Sequence, residues 1–381
     1  MEKQKNMPQL RFPEFEGEWE NLKLGELSKS IHSGKDSNVF DGNYPLYGSM
    51  GIIGKSSSPT YEGKYILVAR VGANAGSINL VEDSFGVTDN TLVIENDSRI
   101  DTDFEYYLLK VANLNRYIFG SGQPLVTGSM LKALKVLIPS LPEQLKIASF
   151  FTAIDQKISL LKRKKTLLEQ YKKGVMQKIF SQEIRFKDDN GHEFPKWEKK
   201  KLGELTYKTG KKNKGSTPYP IYSINNREGF LPQGDQFEGV DSNSRGYDIS
   251  LYKIIEEKTF AYNPARINVG SIGFSGDLKD IIISSLYVCF KTKQGLEDAY
   301  LHHYLKTFQF NKSVLQNVEG GVRDYLFYEN FSNIKINLPS NKEQLKIANF
   351  LSAIDDKINH TQKQVEKAEV WKKGLMQQMF C

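Results

Sequence analysis

The sequence predicts an α+β protein built twice over: two mixed α/β segments, each followed by a long helix. The two helices pair antiparallel as a coiled coil, and the halves are related by a pseudo-twofold internal repeat. Three observations lead to this. Residues 139–180 and 339–380 align without a gap at an offset of 200, with half of the 42 positions identical. Trp19 and Lys23-Leu24-Gly25-Glu26-Leu27 recur as Trp197 and Lys201-Leu202-Gly203-Glu204-Leu205, at an offset of 178. Between these fixed landmarks lie short β-branched runs separated by Gly-, Ser- and Asn-rich loops, which read as strands and turns rather than as alternating βαβ units.

Taken in order, residues 1–27 form the N-terminal segment of the first repeat, 28–138 the first variable segment and 139–181 the first helix. Residues 182–205 are a linker leading into the second repeat, 206–338 the second variable segment and 339–381 the second helix. In the variable segments, Tyr65–Ala69, Thr91–Ile94, Ile281–Ile283 and Leu286–Phe290 read as strands, with short helices near 103–115 and 297–312. The middles remain weakly alike: Tyr44-Pro45-Leu46-Tyr47 matches Tyr219-Pro220-Ile221-Tyr222, and Gly76-Ser77-Ile78 matches Gly270-Ser271-Ile272.

The repeated segments carry the period of a narrow helical seam, which is the pattern of a coiled coil. In the first copy the seam is Ile147, Phe151, Ile154, Ile158, Leu161, Leu168, Val175 and Ile179, interrupted by Lys165 and Lys172. In the second it is Ile347, Leu351, Ile354, Ile358, Val365, Ala368, Leu375 and Met379, interrupted by Thr361 and Lys372.

Composition narrows the function. The net charge is +7, and residues 139–180 alone hold nine Lys and Arg against three Asp and Glu. A basic stripe suits a polyanionic partner. No run approaches the ~20 apolar residues that span a bilayer. Two distant cysteines, Cys289 and Cys381, exclude a disulfide framework and a cysteine zinc site, and a cytoplasmic location is expected. Catalytic and metal sites are expected to be absent. Asn263-Pro264-Ala265-Arg266 lacks the second proline and the aromatic of a methyltransferase target loop, and Phe119-Gly120-Ser121-Gly122 lacks the setting of a cofactor turn. Asp155 and Lys157 read as a solvated charge pair. No phosphate-binding loop for ATP is present, and the five histidines show no ligand spacing.

The loops instead hold side chains suited to base edges, where Arg and Lys pair with guanine and Asn and Gln with adenine. In the first segment these are Lys35, Tyr47, Ser49, Arg70, Asn74, Asn90 and Gln123. In the second they are Lys211, Lys212, Lys214, Asn225, Asn226, Arg227, Asn263, Arg266 and Arg323. Each is also an ordinary loop residue. Lys208, Lys211, Lys212 and Lys214 form a cluster better suited to phosphates than to bases.

The duplicated Pro-x-x-x-Glu-Gln-Leu-Lys-Ile-Ala-x-Phe block at 139–150 and 339–350, the repeated Ala-Ile-Asp and the two Leu-Gly-Glu-Leu motifs resemble the specificity (S) subunit of type I restriction–modification systems across essentially the whole chain. The resemblance implies that each variable segment is a target recognition domain reading one half of a bipartite, asymmetric sequence in double-stranded DNA. It implies a coiled coil that separates the domains and sets the spacer. It further implies a non-catalytic role beside two modification (methyltransferase) subunits, which methylate adenine, and two restriction subunits, which cleave DNA with ATP. S-adenosylmethionine, ATP and Mg then belong to the partners, and this chain binds no cofactor. A heptad added to the helices would lengthen them by ~10 Å, roughly three base-pair steps. Two other readings stand beside it: a self-contained enzyme with degenerate motifs, and a non-enzymatic coiled-coil scaffold with two protein-binding heads.

Overall fold

The computed structural model describes residues 6–117, 124–226, 228–237, 239–242, 244–318 and 325–380. They fall into two compact units, Met1–Lys164 with Thr361–Cys381, and Lys165–His360. Each long helix, Leu141–Phe180 and Asn341–Met379, contributes to both.

The first unit carries a six-stranded sheet in the order Ser28–Ser33, Thr91–Asn96, Tyr61–Ala69, Ile78–Val87, Tyr44–Gly48, Gly51–Ser56. Neighbours are antiparallel except for Tyr44–Gly48, which runs parallel to the end of Ile78–Val87. One face buries Ile31, Ile66, Val68, Ile78, Leu92 and Ile94 with Leu109 of the helix Thr102–Ala112. That helix starts where the Asp101 carboxylate accepts from Phe104 N (2.9 Å), and ends at Asn113, whose φ of 48° cannot continue it.

The repeated motifs have structural work. Leu24 and Leu27 are fully buried, and Glu26 accepts from Lys23 N at 3.1 Å, closing a single helical turn. Gly25 lies so close to the next segment that a Cβ would meet Lys132 Cβ at 2.9 Å, and Gly203 meets Ser332 Cβ at 2.8 Å in the second unit. Only glycine fits either place. Gln144 is buried and bridges three backbones: it donates to Arg99 O and Pro139 O and accepts from Asp101 N. Gln344 repeats this with Gly295 O, Pro339 O and Glu297 N.

In this unit, residues 141–164 pack antiparallel on residues 361–379, with Phe150 against Trp371, Asp155 beside Lys372 and Lys162 beside Glu369. Ile147, Phe151, Ile154, Ile158, Val365 and Met379 are buried; Leu161, Ala368 and Leu375 are half-buried. Lys372, which breaks the apolar period, is part of this contact: its ammonium lies 2.6 Å from both Asp155 oxygens. The Tyr107 hydroxyl donates to the same carboxylate at 2.9 Å. Asp155 is therefore not the solvated partner of Lys157, because residues two apart on a helix point to different sides.

Glu105 is fully buried and takes one bond from Asn96 Nδ2 (2.5 Å). Burial pushes its carboxyl up to about 8, against the lowering effect of Asn96. The unfolded chain releases this proton near 4.5, the folded chain only near 8, so the stability carried by the neutral form is complete below the first value and is lost as pH rises through the second. Glu105→Gln removes this dependence. It is expected to flatten the stability–pH curve and to melt above the parent at about pH 8 while matching it near pH 4, a gap of a few kcal/mol at ~1.4 per unit. Parallel curves for parent and variant would overturn this.

The second unit holds two four-stranded sheets, ordered Thr206–Thr209, Val288–Thr292, Phe260–Tyr262, Ile272–Phe274, and Gly229–Pro232, Ile221–Asn225, Ile281–Ile283, Lys253–Ile255. Phe260, Tyr262 and Phe290 form its core with Tyr300, Leu301, Phe310 and Phe331. The helical stretch expected at 297–312 is two helices, Asp298–Tyr304 and Phe308–Asn317: Thr307 caps the second by accepting from Phe310 N at 3.2 Å. The strand expected at Leu286–Phe290 begins at Val288, which leaves Leu286 75% exposed.

Residues 165–180 pack here on residues 341–360, with Ile179, Ile347, Leu351 and Ile354 buried and Leu168, Val175 and Ile358 half-buried. Lys172 binds both Asp355 oxygens at 2.6 Å, the counterpart of Lys372 with Asp155. Both helices continue through Gly174 and Gly374.

Candidate nucleic-acid interface

Strand directions decide which loops meet. In the second unit, Thr209 lies opposite Cys289, and Tyr262 lies opposite Val288 and Ile272. The loops at 210–214, 263–271 and 284–287 therefore leave the same end of the sheet. Lys211, Lys212 and Lys214, all exposed, sit on the first, with Asn263 and Arg266 on the second. Asn263 N donates to Ser271 O, and Arg266 N to Asn263 O, both at 3.0 Å, which holds the loop in a tight turn with the Arg266 side chain outward. Asn225 and Asn226 join this end. Ser271 Oγ donates to Ile224 O at 3.0 Å, and a Cβ on Gly270 would touch Asn226 O at 3.5 Å.

Lys253, from the second sheet, donates to Tyr287 O beside these loops. Burial lowers its ammonium, an effect that Cys289 opposes and that Lys208 and Lys212 reinforce. Lys208 itself lies 3.4 Å from Glu329. A cavity of about 640 Å³ opens between Asn263, Pro264, Ala265, Arg266, Leu286, Tyr325 and Phe327. The Tyr325 and Phe327 rings lie parallel within 5°, centroids 5.7 Å apart.

The first unit gathers its candidates around the connection at 88–90. Ala69 lies opposite Thr91, and Ser33 opposite Leu92. Arg70 N donates to Asn90 O (2.9 Å), and its guanidinium to Asp89 O (3.3 Å). Ser49 Oγ donates to Asn90 O at 2.8 Å, and Thr88 N to Tyr47 O at 2.9 Å. Gly34 N and Asp36 N bind Thr91 O and Val87 O, holding Lys35 alongside. Asn74 is exposed in the connection that follows Arg70. Bonds to the 88–90 connection, not strand register, thus bring these six candidates to the Thr91 end of the sheet, since by register Tyr47 pairs with Val87, at the opposite end of Ile78–Val87 from Ala69. Gln123, Arg227 and Arg323 lie outside the described residues, as do residues 119–122.

Sequence reasoning passed over the apolar residues of these loops. Leu286 read as strand, and Tyr325 and Phe327 were not singled out. Among the described residues no group of three His, Cys, Asp or Glu is placed to hold a metal ion, and no helix is long and apolar enough to cross a membrane.

The sequence model of the family described as "Type I restriction modification DNA specificity domain" matches residues 16–170 and again 195–369. The chain belongs to this family. Among curated relatives, this specificity subunit is 27% identical to the type I restriction enzyme MjaVIII specificity subunit of Methanocaldococcus jannaschii, over 98% of this chain and 93% of that one. It is 29% identical to the putative MjaX specificity subunit of the same organism, over 75% of this chain and 68% of the relative. Its fold is similar to that of the crystallised S subunit from M. genitalium, with a TM-score of 0.64 at 16% identity, covering 98% and 99% of the two chains. The specificity subunit recognises DNA sequence, and its two matched domains fit a bipartite target. Its family role is recognition, not catalysis.

Proposed function

We propose that the two sheet ends are the reading surfaces, one per half-site of a double-stranded, asymmetric target. The observation that carries this is the contrast within the repeat. The framework residues Gly25, Gln144 and Asp155 recur in kind as Gly203, Gln344 and Asp355, whereas the loop side chains at the two sheet ends differ. Phosphate contacts fall to Lys211, Lys212 and Lys214, and base contacts to the Arg and Asn side chains beside them.

The chain works in the cytoplasm with two modification subunits, which methylate an adenine in each half-site, and with two restriction subunits in the full complex. S-adenosylmethionine, ATP and Mg are held by those partners. Two clefts of matching composition support a pair of identical partners. One, of about 530 Å³, is lined by Lys110, Asp155, Ile158, Lys372 and Met376; the other, of about 570 Å³, by Lys306, Asp355, Ile358, Lys172 and Met176. The recognition segments themselves are near neutral, ten Lys and Arg against eleven Asp and Glu in 28–138 and sixteen against fourteen in 206–338. Such surfaces bind DNA weakly alone, so tight binding requires the modification subunits.

The test is base-resolution methylation mapping of host DNA with and without this gene, its modification subunit present. A new asymmetric bipartite motif with one methyladenine per half-site is expected, and exchange of 206–338 is expected to alter one half-site only. No new motif, with the modification subunit bound, would overturn the reading in favour of a protein-binding scaffold.

A further inference from the structure

The hairpin Tyr44–Gly48/Gly51–Ser56 ends in the two-residue turn Ser49–Met50, and its tip is apolar. Met50 is 82% exposed, Ile52 63% and Ile53 49%. Gly51–Ser56 is the edge strand of the sheet. An exposed apolar edge invites association with other chains, and proteins ordinarily blunt it with charge or proline.

The tip is also aimed. Leu46 pairs with Gly54 and Tyr47 with Ile52, so Ile53 is an extra residue, a bulge of the kind that redirects neighbouring side chains. Gly51 holds φ 96°, a conformation L side chains rarely adopt. Ser49 Oγ to Asn90 O and Thr88 N to Tyr47 O tie the tip to the loop that carries Asn90, whose carbonyl also accepts from Arg70 N. The tip therefore continues the first reading surface. In the second unit's hairpin, Ile221–Asn225/Gly229–Pro232, the described residues of the connection, Asn226 and Glu228, are polar instead.

We propose that the Met50 and Ile52 side chains read thymine C5-methyl groups in the major groove of the first half-site. This rests on the sheet ends being the reading surfaces. A two-stranded β-ribbon fits the major groove, and the thymine methyl is the one apolar feature displayed there. An apolar tip beside Arg70 and Asn90 matches a thymine set among polar base edges. Asn226, on the second unit's hairpin, is suited instead to hydrogen-bond readout.

The test uses the full chain with its modification subunit and the mapped target DNA, replacing thymine by deoxyuridine one position at a time. Removing one contacted methyl group is expected to weaken binding about fourfold at one or two positions of the first half-site. Met50→Ala and Ile52→Ala are expected to bind thymine and uracil targets equally while leaving the second half-site untouched. Both side chains are exposed, and unchanged circular dichroism and melting would show intact folding. The inference is overturned if the first half-site contains no thymine, if uracil makes no difference, or if the variants keep the parent's discrimination. It is also overturned if 2-aminopurine probes report unstacking that the variants abolish, since the tip would then be a wedge between base steps. Absence of specific binding to any target would instead remove the reading surfaces themselves.

Discussion

Glu343→Ala is expected to destabilise the second unit by about 3–5 kcal/mol, the usual consequence of removing one partner of a buried ion pair. Glu343 is fully buried, and three donors converge on it: Arg185 Nε at 3.1 Å, Arg185 Nη2 at 2.7 Å and Trp197 Nε1 at 2.9 Å. Alanine leaves a largely buried guanidinium, 19% exposed, and an indole N–H without their acceptor. Arg185 also donates to Phe194 O and Pro195 O, so the loss loosens the strand-entry segment before Glu198–Lys201. Glu343→Gln keeps the volume and one acceptor, and is expected to fall between parent and alanine. Glu143→Ala should cost less: Glu143 binds Arg11 twice at 2.7 Å, but Trp19 Nε1 finds no partner there. Denaturant unfolding of the three variants measures the order. Losses below about 1 kcal/mol at Glu343 would show that the guanidinium is resolvated with little strain.

The framework was the legible part of this sequence, because its residues do local jobs that only a few residue types perform. Gly25 and Gly203 recur since no Cβ fits there, Gln144 and Gln344 since one amide must serve three backbones, and Leu24 and Leu27 since a single turn buries both. Such constraints leave the same letters in both copies. Lys172 and Lys372 were legible only as interruptions: a periodicity argument scores apolar residues and misses that each lysine is matched by an aspartate on the opposing helix. The pairing of Tyr44–Gly48 with the end of Ile78–Val87 is parallel and distant in sequence, so no local pattern announces it. The candidate loops were legible by composition, but their convergence on one sheet end depends on strand order. Leu286 was lost because an apolar residue in a β-like run reads as core, and Met50 and Ile52 because nothing in the sequence singles them out; only the folded chain shows all three facing outward.

The two classes of basic side chain at the second sheet end should separate by experiment. Arg266 is exposed on a loop pinned by backbone bonds, with Asn263 and the 640 Å³ cavity beside it. A guanidinium so placed can donate twice to one guanine, and losing such a contact costs about 1–3 kcal/mol, roughly five- to 150-fold in affinity. Arg266→Ala in the complex with the modification subunit is therefore expected to bind the mapped target that much more weakly. It should relax the sequence requirement at one base pair of the second half-site and leave the first unchanged. Lys212 lies on the neighbouring loop with Lys211 and Lys214, where an ammonium is a point charge suited to phosphate. Lys212→Ala is expected to weaken binding to specific and random DNA alike and to reduce the slope of log affinity against log salt by about one. Salt titrations on target, single-substitution and random duplexes distinguish the two. If Arg266→Ala instead lowers all affinities equally, Arg266 is a backbone contact, and the bases of that half-site are read from the hairpin carrying Asn225 and Asn226.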